Sequence, residues 1–127
     1  MAAVLIVEDE LAIAELLADV LREEGHQVTI VGNGRQALDV AARIKPSVVV
    51  TDFMMPVMDG AAFLEALAAS EDLKDVPVIM MSSLPESTVA QRCTGYTIFL
   101  RKPFKIYDVA DIVSRLASTS ESRRPMS

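Results

Sequence analysis

Val48-Val49-Val50-Thr51-Asp52-Phe53-Met54-Met55-Pro56 is an apolar run interrupted by a carboxylate. Three successive valines cannot alternate between a core face and a wet face, so the stretch predicts a strand buried on both faces, as in a parallel sheet covered by helices. Pro56 cannot continue the ladder and stops it. In open parallel sheets ligands gather beyond the carboxyl ends of the strands, and an acid at that exit points into the usual site. Taken alone, Asp52 has a plainer explanation: it marks where a strand leaves the core for solvent.

The pattern recurs on either side of this stretch. Ala3-Val4-Leu5-Ile6-Val7 is a second continuous apolar strand and ends at Glu8-Asp9-Glu10. Val76-Pro77 opens a third, Val78-Ile79-Met80-Met81, which ends at Ser82-Ser83. A briefer one, Thr97 to Leu100, ends at Arg101-Lys102-Pro103. Val28, Ile30 and Val31 around Thr29 alternate only in part, which suits a half-exposed edge. Between the strands lie helical stripes. Ile13, Leu16, Leu17, Val20 and Leu21 form the first, stopped at Gly25. Asn33 caps the second, with Gln36 placed to reach back and Ala37, Leu38, Ala41 and Ala42 as its buried stripe, and Lys45-Pro46 ends it. Asp59 caps the third, which buries Phe63, Leu64 and Leu67. Leu84 to Thr94 predicts a short, weakly anchored helix with Ser83 and Glu86 spaced for a capping box around Pro85. Ile106, Val109, Val113 and Leu116 give the last stripe.

Alternating strand and helix signals predict an α/β fold: a doubly wound, five-stranded parallel sheet with right-handed crossovers and helices on both faces. Its two weakest strands, the second and the last, belong at the edges. One domain over residues 1–117 accounts for these signals, and the polar stretch 118–127 is expected to be a disordered tail.

Composition narrows the function classes. The chain has 127 residues, 51% of them apolar and 24% charged, which is the balance of a globular domain with a sizeable core. No apolar run approaches the roughly 18 residues of a membrane span, and Met1-Ala2-Ala3 enters strand sequence with no basic signal region. A cytoplasmic protein without a membrane partner is the expectation. Cys93 is the one cysteine, which excludes an internal disulfide and a thiolate metal cluster. The net charge of -6 argues against direct nucleic-acid binding and favours a cation wherever acids cluster.

Four strand ends bring Glu8 with Asp9, Asp52, Ser82 and Lys102 to one rim of the sheet. Singly each has an ordinary explanation. Glu8, Asp9 and Glu10 suit a helix start, Ser82 or Ser83 suits a cap, and Lys102 suits a strand end from which its ammonium reaches water. Met54, Met55, Met58, Met80 and Met81 suit packing around the site rather than a cofactor box, and His26 suits a solvated loop. Together the three carboxylates would repel one another unless a hard cation neutralised them, and an all-oxygen ligand set suits Mg²⁺. One carboxylate then serves as a nucleophile towards phosphorus, giving an aspartyl phosphate. Lys102 would pair with one phosphoryl oxygen and the Ser82 hydroxyl would donate to another.

Val7-Glu8-Asp9, Thr51-Asp52 with Pro56 and Asp59-Gly60, Ser82, and Lys102-Pro103-Phe104 together resemble the receiver domain of two-component response regulators, over about residues 3 to 117. The resemblance implies a flavodoxin-like strand order 2-1-3-4-5 and a cis Lys102-Pro103 peptide. It implies Asp52 as the phosphoacceptor and a Mg²⁺ held by Glu8, Asp9, Asp52 and the Met54 backbone carbonyl. Ser82 would be the switch hydroxyl, Phe99 the switch aromatic and Lys102 the phosphoryl-contacting lysine. The implied partners are a histidine kinase or phosphotransfer protein, touching Leu11, Ala14, Pro103 and Phe104, and a downstream protein that the sequence does not name. Such a domain catalyses only its own phosphorylation and dephosphorylation. Two features depart from the family pattern. Ser82 to Lys102 is shorter than usual, and no DNA-binding or enzymatic domain follows, as in single-domain, chemotaxis-regulator-like members or an excised piece of a longer chain. Among rival readings, a degenerate receiver would act as a constitutive protein-binding module. A phosphatase of the haloacid dehalogenase type would need an acid where Met54 stands, and a flavodoxin-like carrier would not tolerate Glu8-Asp9-Glu10 at its phosphate loop.

Overall fold

In the computed structural model, which describes residues 2–123, five strands alternate with five helices. They are β1 (Ala3–Val7), α1 (Leu11–Glu23), β2 (Gln27–Val31), α2 (Gly34–Ile44), β3 (Val48–Asp52), α3 (Gly60–Ala68), β4 (Val78–Ser82), α4 (Glu86–Ala90), β5 (Ile98–Arg101) and α5 (Ile106–Arg123). All strand pairs are parallel and the order is β2-β1-β3-β4-β5, as the resemblance implied. Every residue of β3 and β4 is buried, whereas β2 and β5 are only half-buried at the edges.

The two-residue period of the strands divides the core into two layers. Val4, Ile6, Val48, Val50, Ile79 and Met81 face α1 and α5, packing on Leu17, Leu21, Val109 and Val113. Leu5, Val7, Val49, Val78 and Met80 face the opposite way, onto Ala37, Phe53, Phe63, Leu64 and Leu67. The central strands therefore need apolar residues on both faces along most of their length, and that is why their sequences do not alternate.

Register then decides what meets at the carboxyl rim. Val7 lies level with Thr51, Asp52 with Met81, and Ser82 with Arg101. Glu8, Asp52, Ser82 and Lys102 therefore leave the sheet side by side. Gly60 holds the exit of β3 close to α3. Its N–H donates to the Phe53 carbonyl at 2.8 Å, and a Cβ at this position would stand 2.6 Å from the Asp52 carbonyl oxygen.

Helix ends follow the expected chemistry at three places. At α1, Gly25 takes φ +92, its N–H donates to the Arg22 carbonyl and the His26 N–H to the Leu21 carbonyl. At α2, Asn33 Oδ1 accepts from the Gln36 N–H at 2.9 Å, and Gln36 Oε1 accepts from the Gly32 N–H at 3.2 Å. Asp59 Oδ1 accepts from the Ala62 N–H at the start of α3.

Several expectations are corrected. The face that α1 buries is Ala14, Leu17, Ala18 and Leu21, and Leu16 is 59% exposed. Small alanines let the helix approach the sheet, so the stripe of large residues is rotated from the true contact line. On α5 the buried line is likewise Val109, Ala110, Val113 and Ala117, with Leu116 half-buried. The Ser83–Glu86 capping box does not form, because Pro85 occupies the cap position of α4 without a side-chain bond. His26 is not simply solvated: it is half-buried, with Nε2 3.0 Å from Ser114 Oγ on α5. Over 118–123 the chain expected as the start of a disordered tail continues α5 as helix, with no glycine or proline between Ala117 and Arg123 to interrupt it. Residues 124–127 of that tail lie outside the described residues.

Candidate functional site

The ends of β1, β3 and β5 converge on one ammonium group. Lys102 Nζ lies 3.1 Å from Glu8 Oε2 and 3.2 Å from Asp52 Oδ2. The Glu8 side chain is fully buried, and its second oxygen accepts from the Glu10 N–H at 3.1 Å. The other Asp52 oxygen accepts from the Phe53 N–H at 3.1 Å. The Lys102-Pro103 peptide is cis, as expected, and the Lys102 N–H donates to the Ser82 carbonyl at 2.8 Å.

Asp9 completes the cluster from an exposed position, and carboxylate oxygens of Glu8, Asp9 and Asp52 lie within 4.8 Å of one another. Three carboxylates face one ammonium, an excess of two negative charges. Burial pushes the Asp52 carboxyl above its ordinary range, Lys102 pulls it back and the Asp9 charge adds to the rise. Burial also raises Glu8, and the Asp52 charge adds to it. Lys102 is held above the ordinary lysine value: burial disfavours its ammonium, but Asp52 and Glu8 outweigh that. The donor set is all oxygen and negative in excess, which fits a hard divalent cation such as Mg²⁺.

Ser82 is buried at the end of β4, where its Oγ accepts from the Leu84 N–H at 3.0 Å, leaving the hydroxyl proton to be donated. Phe99 on β5 is half-buried, its ring 6.0 Å from that of Tyr96. Met80 and Met81 pack in the core as expected, whereas the Met54 side chain is 59% exposed on the rim. Ala14 is fully buried and is removed from the contact surface, while Leu11 and Pro103 are exposed and Phe104 is half-buried.

One residue with a place near the site had no sequence signal. Arg92, just past α4, puts a guanidinium nitrogen 3.1 Å from Asp59 Oδ2 and its guanidinium carbon 5.4 Å from the Phe53 ring centroid. It lies in the segment with the weakest periodicity, and only the fold brings it to the loop between β3 and α3.

The family model of the response regulator receiver domain matches residues 4–114. The two-component response regulator ORR5 of Oryza sativa subsp. japonica is 35% identical over 116 residues, which span 89% of this chain and 87% of that protein. Among solved structures, the receiver domain of a signal transduction histidine kinase from Syntrophus aciditrophicus is 34% identical with a TM-score of 0.86, covering 100% of this chain and 98% of that one. The receiver domain of a sensor histidine kinase from Pseudomonas aeruginosa, solved with a magnesium ion coordinated in its active site cleft, is 28% identical with a TM-score of 0.84, covering 92% and 98%.

The raised acids make stability depend on pH in a definite sense. The folded state holds their protons more tightly than the unfolded chain, so stability falls as pH rises from the ordinary carboxylate range through the raised values. Lys102 acts oppositely in its own range: its contribution is fully present below the ordinary lysine value and is lost as pH rises through the raised one. In metal-free protein Asp52→Asn should therefore raise Tm near neutral pH by about 4 °C, or about 1 kcal/mol. At pH values where wild-type Asp52 is protonated the two proteins should melt together. Thermal melts in EDTA across pH check this, and a lower Tm for the variant at neutral pH contradicts it.

Proposed function

Because the chain belongs to the response regulator receiver domain family, we propose that Asp52 takes a phosphoryl group from a histidine kinase or phosphotransfer protein and that this switches a protein-binding face. The observation that carries the proposal is the Lys102 ammonium set between Glu8 and Asp52, with Asp9 beside them. A constitutive binding module has no use for a buried carboxylate held against an ammonium at a strand end.

Asp52 attacks the phosphorus of a phosphohistidine in line. The new O–P bond forms as the N–P bond breaks, and the imidazole nitrogen keeps the electron pair. Lys102 is already 3.2 Å from the attacking carboxylate, so its ammonium meets the arriving phosphoryl oxygens without reorganisation. The Ser82 proton is donated to another phosphoryl oxygen. Glu8, Asp9, Asp52 and the Met54 backbone carbonyl are the residues that would hold Mg²⁺, which when bound supplies positive charge to the phosphoryl oxygens. Drawing Ser82 towards phospho-Asp52 opens space for the Phe99 ring to turn inward, which changes the face made by α4, β5 and α5.

The protein acts on no substrate beyond its own acceptor. Its target is a protein rather than nucleic acid, a reading supported by the net charge of -6. No described helix is long and apolar enough to cross a membrane, and a lone buried thiol suits the cytoplasm as its place of work.

With acetyl phosphate and Mg²⁺, intact mass should show one phosphoryl adduct, absent in Asp52→Asn. Asp9→Asn should lose both Mg²⁺ binding and the adduct. An adduct that forms fully in excess EDTA, or that persists in Asp52→Asn, overturns the proposal.

The phosphoryl group should also be long-lived. By the family resemblance, a water attacking phospho-Asp52 is oriented by the second residue after the acceptor and the second after the switch hydroxyl. Here these are Met54 and Leu84, neither of which accepts a hydrogen bond with strength. Met54→Asn with Leu84→Glu should shorten the adduct lifetime about 10-fold, read by mass after donor removal with Mg²⁺ saturating. An equal or longer lifetime in the double variant contradicts this.

A further inference from the structure

Helix α4 has five residues and buries only Val89, too little apolar surface to fix its position by packing. The connection from α4 to β5 is closed on itself, since the Tyr96 hydroxyl donates to Glu86 Oε2 at 2.8 Å and the Cys93 N–H to the Val89 carbonyl at 2.9 Å. Beneath it a cavity of about 310 Å³ opens towards α3, lined by Leu64, Leu73, Val76 and Cys93 among others. Residues 86–96 therefore form a small unit seated on the layer below through Val89 and Cys93, with Tyr96 packed against it.

Arg92 reaches out of this unit to both ends of the acceptor loop. Its guanidinium lies over Phe53, the residue after Asp52, whose N–H donates to Asp52 Oδ1. Its NH2 nitrogen bonds Asp59 Oδ2 at 3.1 Å, while Asp59 Oδ1 caps α3. The Gly60 N–H closes the loop onto the Phe53 carbonyl. An exposed ion pair alone adds little to stability. A planar guanidinium that both lies over an aromatic face and bonds a carboxylate instead fixes the geometry between two segments.

We propose that Arg92 is a positioning residue that fastens the α4–β5 connection to the acceptor loop, so that a change at Asp52 moves residues 86–97 through Phe53 and Asp59. The inference rests on Asp52 being the phosphoacceptor. Within the same unit the Tyr96 ring packs 6.0 Å from that of Phe99 on β5. A connection too short to be carried by an apolar helix face is carried by one side chain.

Amide spectra of the full chain, with and without Mg²⁺ and beryllofluoride as the phosphoryl analogue, test this. In wild type the analogue should shift residues 52–60 and 86–97 together. Arg92→Met should keep the shifts at 52–60 and reduce those at 86–97 about 5-fold. Asp59→Asn retains an oxygen for the Ala62 N–H but loses the charge facing Arg92, so it should give the same pattern. It also carries the test alone if Arg92→Met fails to fold. The double variant should show no further loss, and Arg92→Lys should fall between wild type and Arg92→Met. Wild-type shifts at 86–97 in both folded single variants overturn the inference while leaving the phosphoacceptor reading intact. No response at 52–60 in wild type overturns both.

Discussion

The bridge that Lys102 makes between Glu8 and Asp52 is the interaction on which the rest depends. It joins residues 94 and 50 positions apart in sequence, and both acids are buried. Burying charge is costly, and a buried ion pair is weak grounds for stability. What the bridge supplies is orientation: it holds the Asp52 carboxylate and the Lys102 ammonium in fixed register at the rim of the sheet. The same arrangement is incomplete in charge, because Asp9 adds a third carboxylate that no described cation balances. That imbalance, on an all-oxygen donor set, suits a hard divalent cation.

Backbone packing keeps the cluster in place. Gly60 brings α3 against the Asp52 carbonyl, where a Cβ would stand at 2.6 Å. Gly34 does the same for α2 at the far end of the loop: its N–H donates to the Met58 carbonyl at 3.2 Å, and a Cβ would stand 2.7 Å from that oxygen. Between these anchors the loop turns at Val57, which takes φ +69 although it is β-branched, and the Met58 N–H donates to the Pro56 carbonyl at 2.7 Å. Strain of this kind persists only where the surroundings over-determine it.

The strands and the rim were legible because they rest on composition that no other local structure tolerates. Consecutive Val48, Val49 and Val50 admit a doubly covered strand, and parallel register then aligns the residues after each strand without further information. Helix faces were less legible, since packing through Ala14, Ala18, Ala110 and Ala117 leaves a weaker mark than the leucines that point elsewhere. Ala14 was for the same reason misplaced on the contact surface. The spacing of Ser83 and Glu86 was right for a capping box, but the fixed φ of Pro85 took the cap position. Arg92 was illegible altogether, because its meaning lies in Asp59 and Phe53, which are 33 and 39 positions away.

Lys102 occupies the same two carboxylates, Glu8 and Asp52, that a divalent cation at this cluster would use, so the ammonium would orient them while opposing the metal by charge. Mg²⁺ titration of Lys102→Met by calorimetry tests it most directly. Removing the ammonium should tighten Mg²⁺ binding about 10-fold, or about 1.4 kcal/mol, even though the phosphoryl contact is gone. Mg²⁺ binding that is lost or weakened in Lys102→Met would contradict the account and would mean that the lysine assembles the metal site instead of competing for it.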